Sequence, residues 1–390
     1  MSEVVIHQFD PLEPAIGGTD GFITDLIRSA PPEVDFRILG VANPRSGIRL
    51  GVWEEVRVGP RRVPFMALAC VDLRGSRPIP RSAHLVFGLC RFRPRLEGAR
   101  IHAHRCDIGL PASLLYPRTP LVQFIHENGA EALGNRHESF WRFLPIGYRV
   151  VERLAVSRAQ HVVVMNYEAS RRLRRLSPSV VYGRNWFDGT VYRPDGGEDP
   201  SPTGCVGWIG RLEEAKDPAL AIATFSELKK LGRTFRAWIA GSGSLFDSIR
   251  NQVAREGLGG EVEILGELGA QELADRLRRT SVLLITSHSE GLPRAALEAL
   301  GSGTPVVSTR CGDLIHVISD RNGSLVASRE PRQLAETICR VESTVSRSET
   351  ARSVEEYEMR VVLDDLFRTL GSVPPLSRSG TPVPADRGVR

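Results

Sequence analysis

The sequence alternates short apolar runs with stretches of helical periodicity, and this alternation constrains the fold more than any other feature. Strand, helix and strand in succession form the repeating unit of a parallel sheet. Two such series are present. Their strand-like runs are residues 4–6, 36–41, 100–104, 121–125 and 161–165, and then residues 205–209, 235–240, 262–265, 282–286 and 305–308. The pattern predicts an α/β fold with two doubly wound parallel sheets rather than a set of β-hairpins.

A tract without helix or strand character separates the two series. Residues 195–204 contain only Gly, Pro, Ser, Thr and acidic residues, a composition typical of a linker. We therefore predict one domain over residues 1–197 and a second over residues 198–352. A helix over residues 353–371 follows them. The tail at 372–390 is rich in proline and small polar residues, and we expect it to be disordered.

Composition and cysteine placement exclude several classes of protein. With 41% apolar and 25% charged residues over 390 positions, the chain has ordinary globular composition and enough length for two domains. Its six cysteines include no C-x-x-C pair, which argues against a zinc site and against a disulfide framework. No apolar run approaches the roughly 18–20 residues of a membrane span. We therefore expect a cytoplasmic protein.

The positive charge of the chain is concentrated in its first half. Residues 1–200 contain 27 arginines, no lysine and 21 acidic residues, whereas residues 201–390 contain 24 basic and 25 acidic residues. No nucleic-acid-binding motif accompanies this excess, so we predict no nucleic-acid partner. A basic first half favours instead an anionic substrate or an anionic membrane surface.

A long helix is predicted in the first half, at residues 139–158. Its first part, residues 140–149, is apolar, aromatic and basic. This composition suits either a buried helix of the first domain or a segment at a membrane interface. The second interpretation adds peripheral contact with the inner face of the membrane to the expected cytoplasmic location.

The segment most informative about chemistry is residues 289–307, which follow a strand-like run of the second series. Pro293 suits the first turn of a helix, whose free amide groups would face an anion. Glu290 lies in the loop before that helix and can accept hydrogen bonds from a hydroxylated group. Glu298 lies between one and two turns into the helix, where its two oxygens can accept from a ribose diol. The arrangement favours a ligand with phosphate and sugar parts.

This segment resembles the E-x7-E signature of retaining glycosyltransferases with the GT-B fold, in particular the large family 4 of nucleotide-sugar-dependent enzymes. The resemblance implies two Rossmann-like domains facing a cleft, with the acceptor on the first domain and the donor on the second. It also implies that the last helix, near 357–370, returns to the first domain. Glu290 would then contact the donor sugar, and Glu298 the ribose. The intervening residues that would line the donor site are Gly291, Leu292 and Pro293.

A second segment carries the same resemblance. Residues 210–218 look like the family's G-R-L-x(3)-K-G/D segment, which implies that Arg211 and Lys216 neutralise the donor diphosphate. A departing diphosphate gains negative charge as the glycosidic bond breaks, so cations at its oxygens stabilise the transition state. The D-x-D triplet, with which many metal-dependent glycosyltransferases hold a divalent ion, does not occur in the sequence. We therefore expect no metal and no other cofactor.

Glycine and histidine positions extend the resemblance. Gly17 and Gly18 resemble the family's G-G loop, where backbone amides approach the donor phosphate or the acceptor. His126 follows a strand-like run and resembles the histidine that reaches the donor sugar. Gly241 and Gly243 match the family's G-x-G loop near the nucleotide base.

Several polar residues receive supporting roles. His102 and His104 alternate on a predicted strand and so share one face. This spacing can bind a metal, but no third ligand is evident. The strand also resembles the family's h-x-H strand, which implies that both histidines support the acceptor-side loop. Asn185 resembles the asparagine where the family's chain crosses between domains. His316 stands where the family usually has glutamate.

The predicted function is metal-independent transfer of a hexosyl unit, with retention at the anomeric carbon, from a UDP- or GDP-sugar. The acceptor would be a hydroxyl group of a glycan, a lipid-linked molecule or a small molecule. The predicted catalytic residues are Glu290, His126, Arg211 and Lys216. Three alternatives remain open: a sugar-nucleotide 2-epimerase on the same fold, a non-catalytic partner subunit and an Arg-rich RNA-binding protein.

Overall fold

The computed structural model describes residues 2–13, 18–72, 80–126, 140–195 and 204–371. These residues contain two separate sheets. The strands of the first sheet are β1 (Ser2–Ile6), β2 (Phe36–Ala42), β3 (Trp53–Val58), β4 (Arg61–Cys70), β5 (Ala99–Ala103), β6 (Leu121–Ile125), β7 (His161–Val164) and β8 (Val180–Tyr182). Their spatial order is β3-β4-β2-β1-β5-β6-β7-β8. The helices of this half are α1 (Gly18–Ser29), α2 (Arg81–Phe92), α3 (Cys106–Leu115), α4 (Pro145–Arg158) and α5 (Tyr167–Arg174).

The second sheet has six strands, and all its pairs are parallel. Its strands are β9 (Cys205–Ile209), β10 (Arg236–Ala240), β11 (Val262–Gly266), β12 (Val282–Ile285), β13 (Val306–Thr309) and β14 (Gly323–Val326), in the order β11-β10-β9-β12-β13-β14. The helices of this half are α6 (Pro218–Lys230), α7 (Phe246–Arg255), α8 (Ala270–Arg278), α9 (Arg294–Gly301), α10 (Pro331–Thr344), α11 (Arg347–Arg352) and α12 (Met359–Thr369).

Both sheets reverse their strand order beside their first strand. In the first sheet β1 lies between β2 and β5, and in the second β9 lies between β10 and β12. Loops that leave a parallel sheet on the two sides of such a point diverge and open a crevice for ligands. The predicted fold class, two doubly wound parallel sheets, is confirmed, and its geometry places the segments after β1 and β9 at the two crevices.

One edge of the first sheet differs from the prediction of parallel strands alone. Strands β3 and β4 pair antiparallel, and only Gly59 and Pro60 connect them. A parallel connection needs a crossover of a dozen or more residues, so a two-residue link forces a hairpin. Gly59 has φ +59°, a left-handed conformation that glycine adopts without a side-chain clash.

The long helix predicted at 139–158 is divided in two. Residues Phe140–Phe143 form a 3₁₀ turn, and α4 begins afterwards at Pro145. Proline lacks an amide hydrogen and clashes with a preceding helical turn, so it starts a helix rather than continuing one. Helix α4 buries Ala155 and Val156 on one face, whereas Ile146 and Val150 on the other face are exposed.

Helix α12 packs on the first sheet although it follows the second in sequence. Leu363 and Phe367 belong to the apolar core that contains β1 and β2 residues. At the end of α12 the Leu370 carbonyl accepts a hydrogen bond from Arg100, which is buried and ion-paired with Glu3. The chain therefore crosses back between domains near its C-terminal end.

Two predicted segments lie outside the described residues. These are most of the linker at 195–204 and the whole tail at 372–390. Within the ranges that are described, no helix is long and apolar enough to cross a membrane.

Candidate active site

A cleft of about 690 Å³ separates the two domains, and loops after β1, β6, β9, β10 and β12 line it. These loops all follow the carboxyl ends of parallel strands, which is where α/β sheets bind ligands. The predicted site residues that line the cleft are Gly18, His126, Arg211, Lys216, Gly241, Glu290, Gly291, Leu292, Pro293 and Glu298. The topology thus brings together residues separated by up to 280 positions in the sequence.

Two of the predicted glycines differ from this group. Gly17 lies outside the described residues. Gly243 does not line the cleft; a side chain there would place its Cβ 2.5 Å from the Leu212 carbonyl oxygen. At Gly241 a Cβ would lie 1.9 Å from the Gly210 carbonyl oxygen. Glycine is needed at both positions because the loops after β9 and β10 approach each other at backbone distance.

Lys216 and Glu290 form an ion pair inside the cleft. The ammonium group of Lys216 contacts Glu290 Oε1, and the Ser287 hydroxyl donates to the same oxygen at 2.7 Å. The two side chains are 21% and 13% exposed, so both charges are largely shielded from water. An anion that enters the cleft must therefore share Lys216 with Glu290 or displace it.

The loop that carries Lys216 is fixed by a helix cap and by further polar contacts. Asp217 caps α6 by accepting from the Leu220 amide at 3.1 Å. Arg329 donates to Asp217 at 2.7 Å and to the Thr286 carbonyl at 2.6 Å. The Thr286 hydroxyl in turn donates to the Lys216 carbonyl at 2.9 Å. Lys216 therefore occupies a rigid backbone position although its side chain is long and flexible.

A second charged group contains Glu298 on α9. Arg294, one turn earlier, lies 3.8 Å from Glu298 and forms an ion pair with Asp25 of α1 at 2.7 Å. Burial raises the pKa of Glu298, while the charge of Arg294 acts in the opposite direction. Because Asp25 belongs to the first domain, this group spans the cleft. Sequence reasoning gave neither partner a role: Arg294 lies within the predicted motif at 290–298, and no pattern marks Asp25.

Arg211 lies at the rim of the cleft. Its side chain is 65% exposed, and Glu213 accepts from it at 2.9 Å. Water screens a charge in such a position far more than it screens Lys216. The exposed fractions of the two predicted phosphate ligands, Arg211 and Lys216, thus differ by a factor of about three.

Around His126 the wall of the first domain is neutral and aromatic. His126 Nε2 lies 2.9 Å from His104 Nδ1, and the Phe22 ring packs edge-on against His126 at 4.7 Å. Burial, followed by the neighbouring His7, lowers the pKa of His126 to about 3, so its ring is neutral at physiological pH. His102, predicted to share a role with His104, instead contacts the buried carboxylate of Glu3 at 2.9 Å.

Further polar contacts join the domains beside the cleft. The Asn185 side chain donates to the Leu292 carbonyl at 2.9 Å. Asp313 accepts from the Tyr167 amide at 2.9 Å and from the Tyr182 hydroxyl at 3.0 Å. The His316 ring lies 4.5 Å from that of Tyr167. Asn185 and His316 therefore lie at the domain boundary.

Metal-binding geometry is not found in the described ranges, where no three His, Cys, Asp or Glu side chains converge on one point. The cleft offers instead one charged wall, with a paired lysine and a buried glutamate, and one neutral wall with a hydrogen-bonding imidazole. Such a pair of walls suits a ligand whose one end is anionic and whose other end carries hydroxyl groups.

Comparison with known proteins assigns the family. Residues 200–358 match the model of glycosyl transferases group 1. The D-inositol 3-phosphate glycosyltransferase of Acidothermus cellulolyticus is 31% identical over 352 residues, which span 78% of this chain and 75% of that protein. Sucrose-phosphate synthase from Thermosynechococcus elongatus shares the fold with a TM-score of 0.75 at 17% identity, covering 95% of this chain and 99% of that one.

A further solved structure has the same architecture. HepE from Anabaena, in complex with UDP and glucose, superposes with a TM-score of 0.70 at 17% identity, covering 96% of this chain and 100% of that one. At such low sequence identity these structures show only the fold, which is GT-B. The Acidothermus relative and the match to the family model together show the family: the chain is a glycosyltransferase that belongs to the glycosyl transferases group 1 family.

Proposed function

We propose that this enzyme transfers a hexosyl unit from a nucleoside diphosphate sugar to a hydroxyl acceptor, with retention at the anomeric carbon and without a metal ion. The observation that carries the proposal is that Lys216, Glu290 and Glu298 line one cleft, with Lys216 rigidly held and shielded from water. A shielded cation stabilises an oxyanion more strongly than an exposed one does.

The donor would bind along the charged wall. Lys216 would leave Glu290 to bind the diphosphate, with help from Arg211 at the rim and from the free amides at the start of α9. Glu290 could then accept hydrogen bonds from the donor sugar, and Glu298 from the ribose diol. Each charge in the cleft thereby obtains a partner of opposite sign or a hydroxyl donor, which buried charges require.

Retention follows in this proposal from attack on the same face that the diphosphate leaves. The bond between the anomeric carbon and the phosphate oxygen breaks, and the acceptor oxygen bonds to that carbon. The acceptor proton passes to the departing phosphate oxygen, so no protein nucleophile is required. Lys216 and Arg211 stabilise the negative charge that accumulates on the diphosphate.

The relatives suggest which donor and acceptor to test first. HepE was solved with UDP-glucose, and this makes UDP-sugars the first choice ahead of GDP-sugars. The name of the Acidothermus relative includes inositol 3-phosphate, which makes a phosphorylated polyol the first small-molecule acceptor. Glycan and lipid-linked acceptors complete the panel.

The test measures melting temperature across UDP- and GDP-sugars, with and without EDTA, because a ligand that binds the folded state stabilises it. We expect a shift with at least one donor that EDTA does not remove and that Lys216→Ala reduces. Lys230→Ala is the matched control, because Lys230 is an exposed lysine in the same domain. A shift that requires a metal, or the lack of any shift, would overturn the proposal.

Product analysis by NMR separates transfer from the alternatives. A new α- or β-glycoside with the anomeric configuration of the donor supports retaining transfer. Inversion at the anomeric carbon contradicts retention. Conversion of the donor sugar at C2 without an acceptor favours the epimerase, and RNA affinity without nucleotide-sugar affinity favours the RNA-binding alternative.

We also propose that the first domain contacts an anionic membrane surface from the cytoplasmic side. Helices α2, α3 and α4 pack side by side and expose large apolar side chains, of which Ile146 on α4 is 79% exposed. The others on these helices are Phe87, Leu114, Val150 and Leu154. Every exposed charged residue on the three helices is an arginine: Arg91, Arg149, Arg153 and Arg158. Apolar and basic groups on one face suit an anionic bilayer.

Vesicle sedimentation tests this contact. We expect binding to vesicles of phosphatidylglycerol and phosphatidylcholine, and weak binding to phosphatidylcholine alone. The double variants Arg149→Ala/Arg153→Ala and Ile146→Ser/Val150→Ser should each reduce the bound fraction. Equal binding to both vesicles, no effect of either variant, or a dimer that buries this face would contradict the proposal.

A further inference from the structure

His104 lies directly behind His126 and touches it. It follows β5, is buried, and has its ring parallel to that of Phe124 at a centroid distance of 4.5 Å. Its Nδ1 lies 2.9 Å from Nε2 of His126, which lines the cleft. The His126 ring is therefore held by His104 through one hydrogen bond. Which of the two nitrogens donates in that bond decides whether His126 offers a ligand an N–H donor or an acceptor nitrogen.

Burial keeps both rings neutral, since it lowers the pKa of His104 and of His126. A neutral imidazole carries one N–H, on either Nδ1 or Nε2. The Nε2 atom of His104 is buried and has no hydrogen-bond partner among the described residues. A proton on that atom would leave a buried donor without an acceptor, whereas a proton on Nδ1 is used in the bond to His126. The favoured donor is therefore His104 Nδ1.

This direction determines the protonation of the second ring. If His126 Nε2 accepts the bond from His104, its own hydrogen must be on Nδ1. We infer that His104 is a positioning residue that fixes the tautomer of His126, so that His126 offers a neutral N–H donor to an oxygen of the donor sugar. The inference rests on the proposed function, because it assigns the donor sugar to this wall of the cleft.

A neutral donor suits the chemistry at this position. Positive charge develops on the anomeric carbon and ring oxygen of a glycosyl group as its leaving group departs. An imidazolium beside that centre would repel it, whereas a neutral N–H can orient a hydroxyl group without adding charge. His104 would thus supply orientation and direction of the hydrogen bond rather than charge.

The experiment uses the full chain labelled with ¹⁵N-histidine, and His126→Gln identifies the His126 signals. In the wild-type protein we expect the Nδ1–H tautomer at His126. In His104→Phe, which keeps an aromatic ring but cannot donate, we expect loss of this single tautomer and about a tenfold lower kcat/KM for the donor. In His104→Asn, whose side-chain amide can still donate, we expect the tautomer and most of the activity to return.

Phe124→Leu is the packing control, because it removes the parallel ring from His104 but leaves the hydrogen bond possible. It should preserve the His126 tautomer. An Nε2–H tautomer of His126 in the wild-type protein overturns the inference, even if His104→Phe fails to fold. So does a His104→Asn variant as impaired as His104→Phe. The NMR measurement needs no substrate, so failure of the proposed function would appear separately, as absence of any donor effect on melting temperature.

Discussion

The two walls of the cleft differ in how they use charge. On the second domain the wall holds the pairs Lys216–Glu290 and Arg294–Glu298, whereas on the first domain it holds the neutral ring of His126 beside Phe22. The first domain also contains charge. Asp25 faces the cleft as the partner of Arg294, and the ion pair of Glu3 and Arg100 is buried behind the wall. The comparison indicates that the second domain concentrates its charge where the donor is proposed to bind, whereas the Glu3–Arg100 pair of the first domain is buried in the fold.

The largest effect expected from this comparison is on stability. Glu3→Gln leaves Arg100 buried without its counter-charge, and we expect a loss of about 3–5 kcal/mol in the free energy of unfolding. Chemical denaturation at neutral pH measures it, with Glu33→Gln on the exposed surface as control. A small loss would mean that the buried Glu3–Arg100 pair contributes little to the stability of the first domain, contrary to the comparison above.

The same residue predicts a pH dependence. Burial alone would raise the pKa of Glu3, but His102 and Arg100 outweigh it and lower the value to about 2, against 4.5 for an ordinary glutamate. A carboxyl group whose pKa is lowered by folding stabilises the protein fully at pH values above its pKa in the unfolded state. This stabilisation is lost as the pH falls through its pKa in the folded state. The difference between wild type and Glu3→Gln should therefore shrink between pH 4.5 and pH 2.

Removal of the shielded cation should have the largest effect on catalysis. Lys216→Ala is expected to lower kcat/KM by roughly 100- to 1,000-fold, as loss of one oxyanion-stabilising group does elsewhere. Steady-state rates of nucleotide release measure the loss, with Lys230→Ala as control. Folding should be unaffected because the contacts of Asp217 and Arg329 remain. If Lys216→Ala kept an activity close to that of the wild type, the diphosphate would not bind beside Lys216.

Glu298→Gln should have an intermediate effect. Loss of a charged acceptor for the ribose hydroxyls is expected to raise the KM for the donor roughly tenfold with little change in kcat. Because burial raises the pKa of Glu298, the donor affinity of the wild-type enzyme should begin to weaken at a higher pH than for an ordinary glutamate as the solution is acidified. Steady-state kinetics measures the first effect and titration calorimetry across pH the second, with the exposed Glu336→Gln as control.

Arg211→Ala should have the smallest effect, and it sharpens the contrast within the charged wall. An exposed ion pair contributes little, so we expect a two- to fivefold loss in kcat/KM, corresponding to about 0.4–1 kcal/mol. The loss should decrease further as salt is added. A loss as large as that of Lys216→Ala would mean that the rim closes over the ligand and excludes water from Arg211.

Much of the fold could be predicted because strands in parallel sheets are short, apolar and well separated by helices. The runs at 121–125 and 205–209 coincide with β6 and β9. The antiparallel pair β3–β4 was not foreseen, since its strand Trp53–Val58 is half polar and lies at a sheet edge. Edge strands bury one face only and so lack the continuous apolar run of central ones.

The candidate site divides in the same way. Residues within one local pattern, such as Glu290 and Glu298, could be recognised because a loop and one helix place them together. Asp25 and His104 could not, since Asp25 meets Arg294 and His104 meets His126 only through the packing of distant strands and helices. Local patterns predicted residues that line the cleft, whereas contacts between distant segments set the environment of their side chains.

The ion pair between Asp25 and Arg294 joins one domain to the other across the cleft. Separation of the domains would have to hydrate both charges at once, and Arg294 also neighbours the carboxylate proposed to hold the ribose. Release of the nucleotide product and opening of the two domains would then both involve the guanidinium group of Arg294. We expect turnover limited by product departure to respond to ionic strength in a way that the bond-breaking step does not.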